Sequence, residues 1–145
     1  MFDYLKGVIT HTDAESVTVD VQGCGYRIYT PMRDIPPHGA NATFFTYLVF
    51  RDPLFMLFGF LSRSDREVFE ILLGVSGVGP KTALSLMSHL SFTTLQTAVQ
   101  AQNVTTLSSV PGIGKKTAER LLLELKSKLP MHDIGAPSHY SDALT

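Results

Sequence analysis

The sequence is poor in cysteine and has no uninterrupted membrane-length apolar run. Cys24 is the only cysteine, so no internal disulfide can form, which is usual in a reducing compartment. The strongest apolar stretch, residues 44–61, is broken by Arg51, Asp52 and Pro53, whereas a membrane span needs about 18 apolar residues in succession. No basic segment followed by an apolar core and a cleavage site opens the chain. These absences predict a cytoplasmic protein with no membrane association.

The chain also lacks an excess of either charge. It has 12 Lys and Arg against 13 Asp and Glu, a formal net charge of −1, which by itself disfavours a nucleic-acid ligand. The distribution is uneven, however, because residues 61–130 contain eight basic and five acidic residues, whereas residues 1–60 contain four and six. The basic half of the chain is therefore where an anionic ligand is expected.

Patterns for metal binding and catalysis are missing as well. The carboxylates form no obvious cluster, and the histidines do not have the spacing of metal ligands. These histidines are His11, His38, His89, His132 and His139. The sequence predicts no metal, no cofactor and no catalytic residue, and it favours a binding protein over an enzyme.

What is present begins with a strand-rich segment. Residues 1–62 contain short, nearly alternating apolar runs, rich in Val, Ile, Thr, Tyr and Phe and separated by turn residues. The predicted strands are 2–10, 16–21, 26–30, 43–51 and 54–60. Five strands in about sixty residues are typical of a small Greek-key barrel such as the OB-fold.

The apolar period changes to that of helices after residue 62. Ser64 and Glu67 have the spacing of a capping box, and Pro80 suits the first turn of a second helix. A third helix is predicted at 93–102, a short fourth helix begins after the cap Asn103, and a last helix is predicted at 115–128. The fold class is thus α+β, with an all-α domain over 63–130, and residues 131–145 are predicted to form a flexible tail or linker.

A repeat lies inside the helical segment. Residues 75–83, VSGVGPKTA, return as residues 110–118, VPGIGKKTA, with every matched pair 35 positions apart. Repetition at a fixed period indicates one supersecondary unit used twice. Each copy reads as a tight hairpin that opens a helix.

The residues of this repeat suit a phosphate ligand. Glycine allows positive φ and close approach to the backbone, and a helix N-terminus carries unsatisfied N–H groups and partial positive charge. Lys81, Lys115 and Lys116 add mobile cations beside it. Val78 and Ile113 are expected to hold the hairpins to the core.

Two nucleotide-binding alternatives fail on spacing. A P-loop has two glycines five positions apart, with lysine directly after the second. In the first copy Pro80 separates Gly79 from Lys81, and in the second copy the position of the first glycine, 109, is serine. A dinucleotide-binding turn needs a third glycine where Thr82 and Thr117 stand, and it follows a strand rather than a helix.

Two such hairpins look like tandem helix-hairpin-helix units, an element that binds DNA backbones. The whole chain resembles the RuvA family, which recognises Holliday junctions in bacterial branch migration. The matching stretches cover about 130 residues in the family's order. They are MFDYLKG (1–7), GCGY (23–26), LFGF (57–60), GVGPK (77–81) and PGIGKKTAER (111–120).

The resemblance implies an OB-fold domain that builds a four-fold tetramer, or an octamer on DNA, with the helical domains on the arms of a four-way junction. It also implies a hexameric ATPase partner, RuvB, and the resolvase RuvC. Phosphate contacts would come from backbone amides and basic side chains of both hairpins, without reading bases. These residues are Gly77, Val78, Gly79, Lys81, Thr82, Gly112, Ile113, Gly114, Lys115, Lys116, Thr117 and Arg120.

The sequence departs from the family pattern in two respects. The family places an acidic pair near the junction centre, and here the matching positions are Asp52 and Pro53, so a tetramer would have about half the acidic charge there. Arg51 is a candidate for DNA contact in the pore. Family members also have a third helical domain that engages the ATPase, and this sequence ends before it, so junction binding is expected without motor activation.

Two other functions remain open at this point. An enzyme could use the hairpins to hold DNA while cutting or modifying it, and a protein that binds RNA backbones would share the same hairpin chemistry.

Overall fold

The computed structural model describes residues 2–129; the predicted tail at 131–145 lies outside them. Five strands and five helices follow in order. The strands are β1 (Tyr4–Thr12), β2 (Ser16–Val21), β3 (Cys24–Tyr29), β4 (Asn41–Arg51) and β5 (Leu54–Phe60). The helices are α1 (Arg63–Leu73), α2 (Pro80–His89), α3 (Phe92–Gln100), α4 (Val104–Ser108) and α5 (Lys115–Lys128).

The five strands close into a barrel in the order β1-β2-β3-β5-β4. All neighbours are antiparallel except β3 and β5, which run parallel and pair at Tyr29 and Phe58. Alternate residues enter the core, as in β2, where Val17 and Val19 are fully buried. The barrel core contains Leu5, Ile9, Val17, Val19, Ile28 and Phe44. The predicted five-stranded OB-fold barrel is confirmed.

The strand bounds differ from the predicted ones where turns are tighter than the sequence suggested. The turn before β3 was predicted at residues 23–25, but it consists of Gln22 and Gly23, both with positive φ. The carboxylate of Asp20 accepts a hydrogen bond from the N–H of Gly23. This two-residue turn lets β3 begin at Cys24.

The start of α1 corrects the predicted capping box. The Oγ of Ser62, not of Ser64, accepts a hydrogen bond from the N–H of Asp65 at 3.1 Å, and the helix begins at Arg63. Just before β1, the carboxylate of Asp3 accepts hydrogen bonds from both Arg63 and Arg66. An earlier helix start places these arginines one turn apart and on the same side.

Side-chain caps begin two of the remaining helices. Ser91 and Asn103 accept hydrogen bonds from the N–H groups of Thr94 and Thr106, which begins α3 and α4. Apolar residues at helical spacing are buried in each helix, for example Ala118, Leu121, Leu122 and Leu125 in α5. The helical half with tandem hairpins is confirmed.

The described residues divide into two compact units, one ending at Arg66 and the other beginning at Glu67. Within residues 2–129, no helix has both the length and the apolar character to cross a membrane.

Candidate nucleic-acid interface

The first glycine turn joins the end of α1 to α2. Gly77 has a φ of +88°, which residues with a Cβ rarely adopt. The N–H of Val78 donates to the carbonyl oxygen of Val75 over 3.1 Å, and the Val78 side chain is 7% exposed. Gly79 then caps α2 in an extended conformation, with φ −92° and ψ 177°. A buried valine thus anchors a tight turn at the start of a helix.

The second turn repeats this geometry closely. Gly112 also has a φ of +88°, and the N–H of Ile113 donates to the carbonyl oxygen of Val110 over 3.0 Å. Ile113 is 5% exposed, and Gly114 caps α5 with φ −83° and ψ 173°. The 35-residue repeat in sequence is therefore a repeat in backbone conformation.

Both turns leave N–H groups free at a helix N-terminus. The N–H groups of Gly77, Gly79, Gly112 and Gly114 have no hydrogen-bond acceptor within residues 2–129. Lys115 provides a further N–H where the first copy has Pro80, which has none. Free donors and the positive end of the helix dipole together favour an anion.

The predicted lysines lie beside these N–H groups. Lys81, Lys115 and Lys116 are exposed and occupy the first two positions of α2 or α5. In the part of the chain that the structure describes, none of them has an acidic partner within 4.0 Å. Thr82 and Thr117 follow at equivalent, half-buried positions. The lysine charges are therefore available to a ligand.

Side-chain hydrogen bonds connect each turn to the helix that follows the other turn. The Oγ of Ser85, on α2, donates to the carbonyl oxygen of Pro111 at 3.0 Å. Arg120, on α5, donates from Nη1 to the carbonyl oxygen of Ser76 at 3.4 Å. Ser85 and Arg120 are 35 positions apart, as are Ser76 and Pro111, so the contacts are equivalent members of the repeat.

Arg120 consequently stands next to the first turn. A Cβ added at Gly77 would lie 3.4 Å from its Nη1 atom, and the same atom is 3.4 Å from the Oγ of Ser76. The carboxylate of Glu124 accepts the N–H of Ser76 at 3.4 Å. The first turn is thus bordered by a guanidinium that is exposed to solvent.

The sequence analysis missed the side chains that hold the turns together. Ser76, Ser85 and Glu124 were not predicted to have a role, although position 85 matches position 120 in the repeat. Extending the 35-residue register two positions beyond Ala83 would have matched Ser85 with Arg120.

Comparison with known proteins places both halves of the chain. The RuvA N terminal domain model matches residues 1–59, and the model of the SAM-like helix-hairpin-helix tandem matches residues 69–127. A relative from Protochlamydia amoebophila (strain UWE25), named Holliday junction branch migration complex subunit RuvA, is 49% identical over 132 residues, covering 89% of this chain and 66% of its own length.

Two further relatives have the same name. The protein from Caldanaerobacter subterraneus subsp. tengcongensis is 43% identical over 133 residues, which are 90% of this chain and 71% of that protein. The protein from Methylibium petroleiphilum is 47% identical over 132 residues, which are 89% and 69%. The chain belongs to the RuvA family. It spans about two thirds of the length of these RuvA proteins.

Three further predicted residues lie at the surface, in the β4–β5 turn. Arg51, Asp52 and Pro53 are all exposed, the Asp52–Pro53 peptide bond is cis, and Arg51 pairs with Leu54 across the turn. These residues belong to the first unit, whereas both glycine turns belong to the second. The structure therefore gives two separate groups of predicted site residues.

Within residues 2–129, no three His, Cys, Asp or Glu side chains are close enough together to hold an ion.

Proposed function

We propose that this chain binds four-way DNA junctions through their phosphate backbones, independently of base sequence, as the junction-binding subunit of a branch migration complex. The observation that carries the proposal is the pair of glycine turns with matching dihedral angles, each with free N–H groups and exposed lysines. The names of the related RuvA proteins support junction DNA as the ligand.

Each turn would bind one phosphate group. Free N–H groups around Gly77 and Gly79, and around Gly112 and Gly114, would donate to phosphate oxygens, while Val78 and Ile113 keep the turns in place. Phosphate contacts position a protein on DNA without reading its sequence. The lysines and Arg120 would add attraction that weakens with salt, and Thr82 and Thr117 are close enough in sequence to contribute hydroxyl donors.

Assembly and partners follow from the family resemblance. We propose a tetramer centred on the barrel of residues 1–62, with a tetramer or an octamer on DNA and the helical segment 63–130 on the junction arms. Strand separation and a square-planar junction would then depend on residues near the centre, Asp52 and Arg51 among them. RuvB would supply ATP hydrolysis and RuvC would resolve the junction, so this chain would act without catalysis; a cytoplasmic location remains a prediction.

Competition binding tests the proposal directly. Fluorescence anisotropy would compare an immobile four-way junction with a linear duplex of the same arm sequence, a second junction of different sequence, and a double-stranded RNA of equal length. We expect the two junctions to bind equally, at least tenfold more tightly than the duplex, with affinity falling steeply as salt rises.

Equal affinity for junction and duplex would contradict the proposal. Tighter binding of RNA would favour an RNA-binding function. Incubation of the labelled junction with the protein and Mg²⁺ would reveal cleavage if the chain were a nuclease.

A further inference from the structure

The β4–β5 hairpin extends beyond the barrel as a two-stranded ribbon. Pairing of β4 with β1 ends at Phe45, and β5 meets β3 at Phe58. Beyond these points, among the described residues, the two strands pair only with each other, from Leu48 with Leu57 to Arg51 with Leu54. The end of the hairpin is therefore open on both edges.

This end is unusually apolar for a surface turn. Phe50, Leu54 and Phe55 are 56%, 63% and 68% exposed. The rings of Phe50 and Phe55 face each other across the strands, with centroids 4.5 Å apart and planes tilted by 39°. The two rings support one another, so the exposed face of Phe55 is held in a defined position.

The surroundings of Phe55 favour an anionic ligand with a flat ring. Phe55 lines a groove of about 610 Å³ together with Tyr26, Tyr29 and Arg27, and no carboxylate lines it. Arg51 follows Phe50 and pairs with Leu54 on the opposite face of the ribbon, so Arg27 is the cation on the side of Phe55. Aromatic faces beside cations are the combination that binds unpaired nucleotides.

By itself, the tip formed by Phe50, Leu54 and Phe55 is too small for a stable interface with a second copy of the chain. A large side chain buries about 150–250 Å² when fully covered, so three partly exposed side chains would bury less than about 500 Å². A stable interface buries about 800 Å² on each partner. A wedge between base pairs, in contrast, needs only one or two apolar side chains.

The negative charge of Asp52 at the turn favours contact with an uncharged nucleobase over contact with a phosphate. Asp52 is exposed at the tip, and its carboxylate would repel a phosphate placed directly against it. A nucleobase carries no charge and can lie against Phe55 while its phosphate approaches Arg27, which lines the same groove. The tip thus suits a base that has left its stack.

We propose that Phe55, supported by Phe50, stacks on a nucleobase at the branch point of the bound DNA. This inference rests on the proposed junction binding, and it specifies which part of the DNA the barrel contacts. Strand separation would then come from apolar stacking on the base, in addition to repulsion of the backbone by Asp52.

The test uses the whole 145-residue chain and junctions with 2-aminopurine at the branch point or about ten base pairs into an arm. Binding of the wild type is expected to raise the fluorescence of the branch-point probe and leave the arm probe unchanged. Phe55→Ala should abolish most of the rise and weaken junction binding about fivefold or more. Phe55→Tyr should preserve both, and Phe55→Leu should lose most of the rise.

Leu123→Ala is the matched control. Leu123 is 76% exposed on α5, so this variant removes an exposed apolar side chain of the other unit, and it should behave as the wild type. Thermal unfolding of every variant verifies folding. Wild-type signal and affinity in Phe55→Ala, with junction preference intact, would overturn the stacking proposal alone; loss of junction preference in the wild type would instead overturn the proposed function.

Photocrosslinking identifies the occupant. p-Benzoyl-phenylalanine in place of Phe55 should crosslink to nucleotides at the branch point when the junction is present. Crosslinks to another copy of the chain, with none to DNA, would show that the tip is a protein interface and would overturn the proposal.

Discussion

The hydroxyl of Ser85 donates a 3.0 Å hydrogen bond to the carbonyl oxygen of Pro111, the residue before the second glycine turn. Arg120 makes the equivalent contact with Ser76, before the first turn. Each turn is thus fixed by the helix that begins at the other turn. This reciprocal arrangement sets the distance between the two proposed phosphate sites. Ser85 has this positioning role without itself contacting a phosphate in the proposed complex.

Ser85→Ala tests this connection. The variant removes a hydrogen bond to the Pro111 carbonyl, and we expect the free energy of unfolding in urea to fall by about 0.5–1.5 kcal/mol relative to a matched control. Ser88→Ala is that control, because Ser88 lies on the same helix and its side chain makes no hydrogen bond with residues 2–129. Equal stability of the two variants would show that the contact does not hold the turn.

Alanine substitutions at the two glycines of the second turn should affect stability and DNA binding differently. Gly112 has a φ of +88° and nothing within 4 Å of an added Cβ, so Gly112→Ala should cost about 1–2 kcal/mol of unfolding free energy through backbone strain alone. Gly114 is extended and equally open, so Gly114→Ala should cost less than about 1 kcal/mol, the usual penalty of alanine at a cap.

Junction affinity should respond differently from stability. A methyl group on Gly114 would keep a phosphate away from the free N–H groups, so Gly114→Ala is expected to weaken junction binding about tenfold while the protein stays folded. Urea unfolding and anisotropy titrations measure the two quantities. Wild-type affinity in Gly114→Ala would remove this turn from the phosphate site.

The repeat explains why so much of the helical half could be predicted. Glycine pairs around one apolar residue dictate a left-handed residue followed by an extended cap, and both copies adopt that geometry within 10°. The barrel was predictable for a similar reason, since alternation in Val17–Val19 marks one buried face. Local signals were sufficient wherever local conformation decides the structure.

Contacts between distant residues could not be predicted in this way. Asp3 binds Arg63 and Arg66, which are 60 and 63 positions away, and this contact accompanies a helix start that differs from the predicted capping box. The pairing of Phe50 with Phe55 depends on the register of β4 and β5. The apolar periodicity of a single sequence does not indicate which distant residues form such pairs.

The contact of Asp3 with two arginines predicts a dependence of stability on pH. Hydrogen bonds from Arg63 and then Arg66 lower the pKa of Asp3 below its ordinary value of 3.8. Its carboxylate therefore stabilises the fold above about pH 3.8 and loses this effect as the pH falls through the lowered pKa. The side chain is 49% exposed, so the effect is small.

Asp3→Asn should accordingly unfold at a lower temperature than the wild type at pH 7, and the difference should shrink as the pH falls below 3.8. Thermal unfolding from pH 2 to pH 7 measures it. Glu15→Gln provides a control carboxylate on the barrel surface that has no ion-pair partner within 4.0 Å among residues 2–129. A difference between Asp3→Asn and the wild type that does not change with pH would contradict the assignment to the ion pair.

The lysines at the starts of α2 and α5 give the sharpest test of backbone recognition. Lys116→Gln and Lys81→Gln each remove one exposed charge beside free N–H groups, so junction affinity should fall by a similar factor for every DNA sequence. The slope of log affinity against log salt should decrease by about 1 for each lost phosphate contact. Lys126→Gln removes the same charge from the last turn of α5, about 15 Å along the helix from Lys116. Because the slope counts contacts rather than net charge, it should stay unchanged in Lys126→Gln; an equal decrease in all three variants would mean that the unit attracts DNA by its overall charge and that the two turns are not individual phosphate sites.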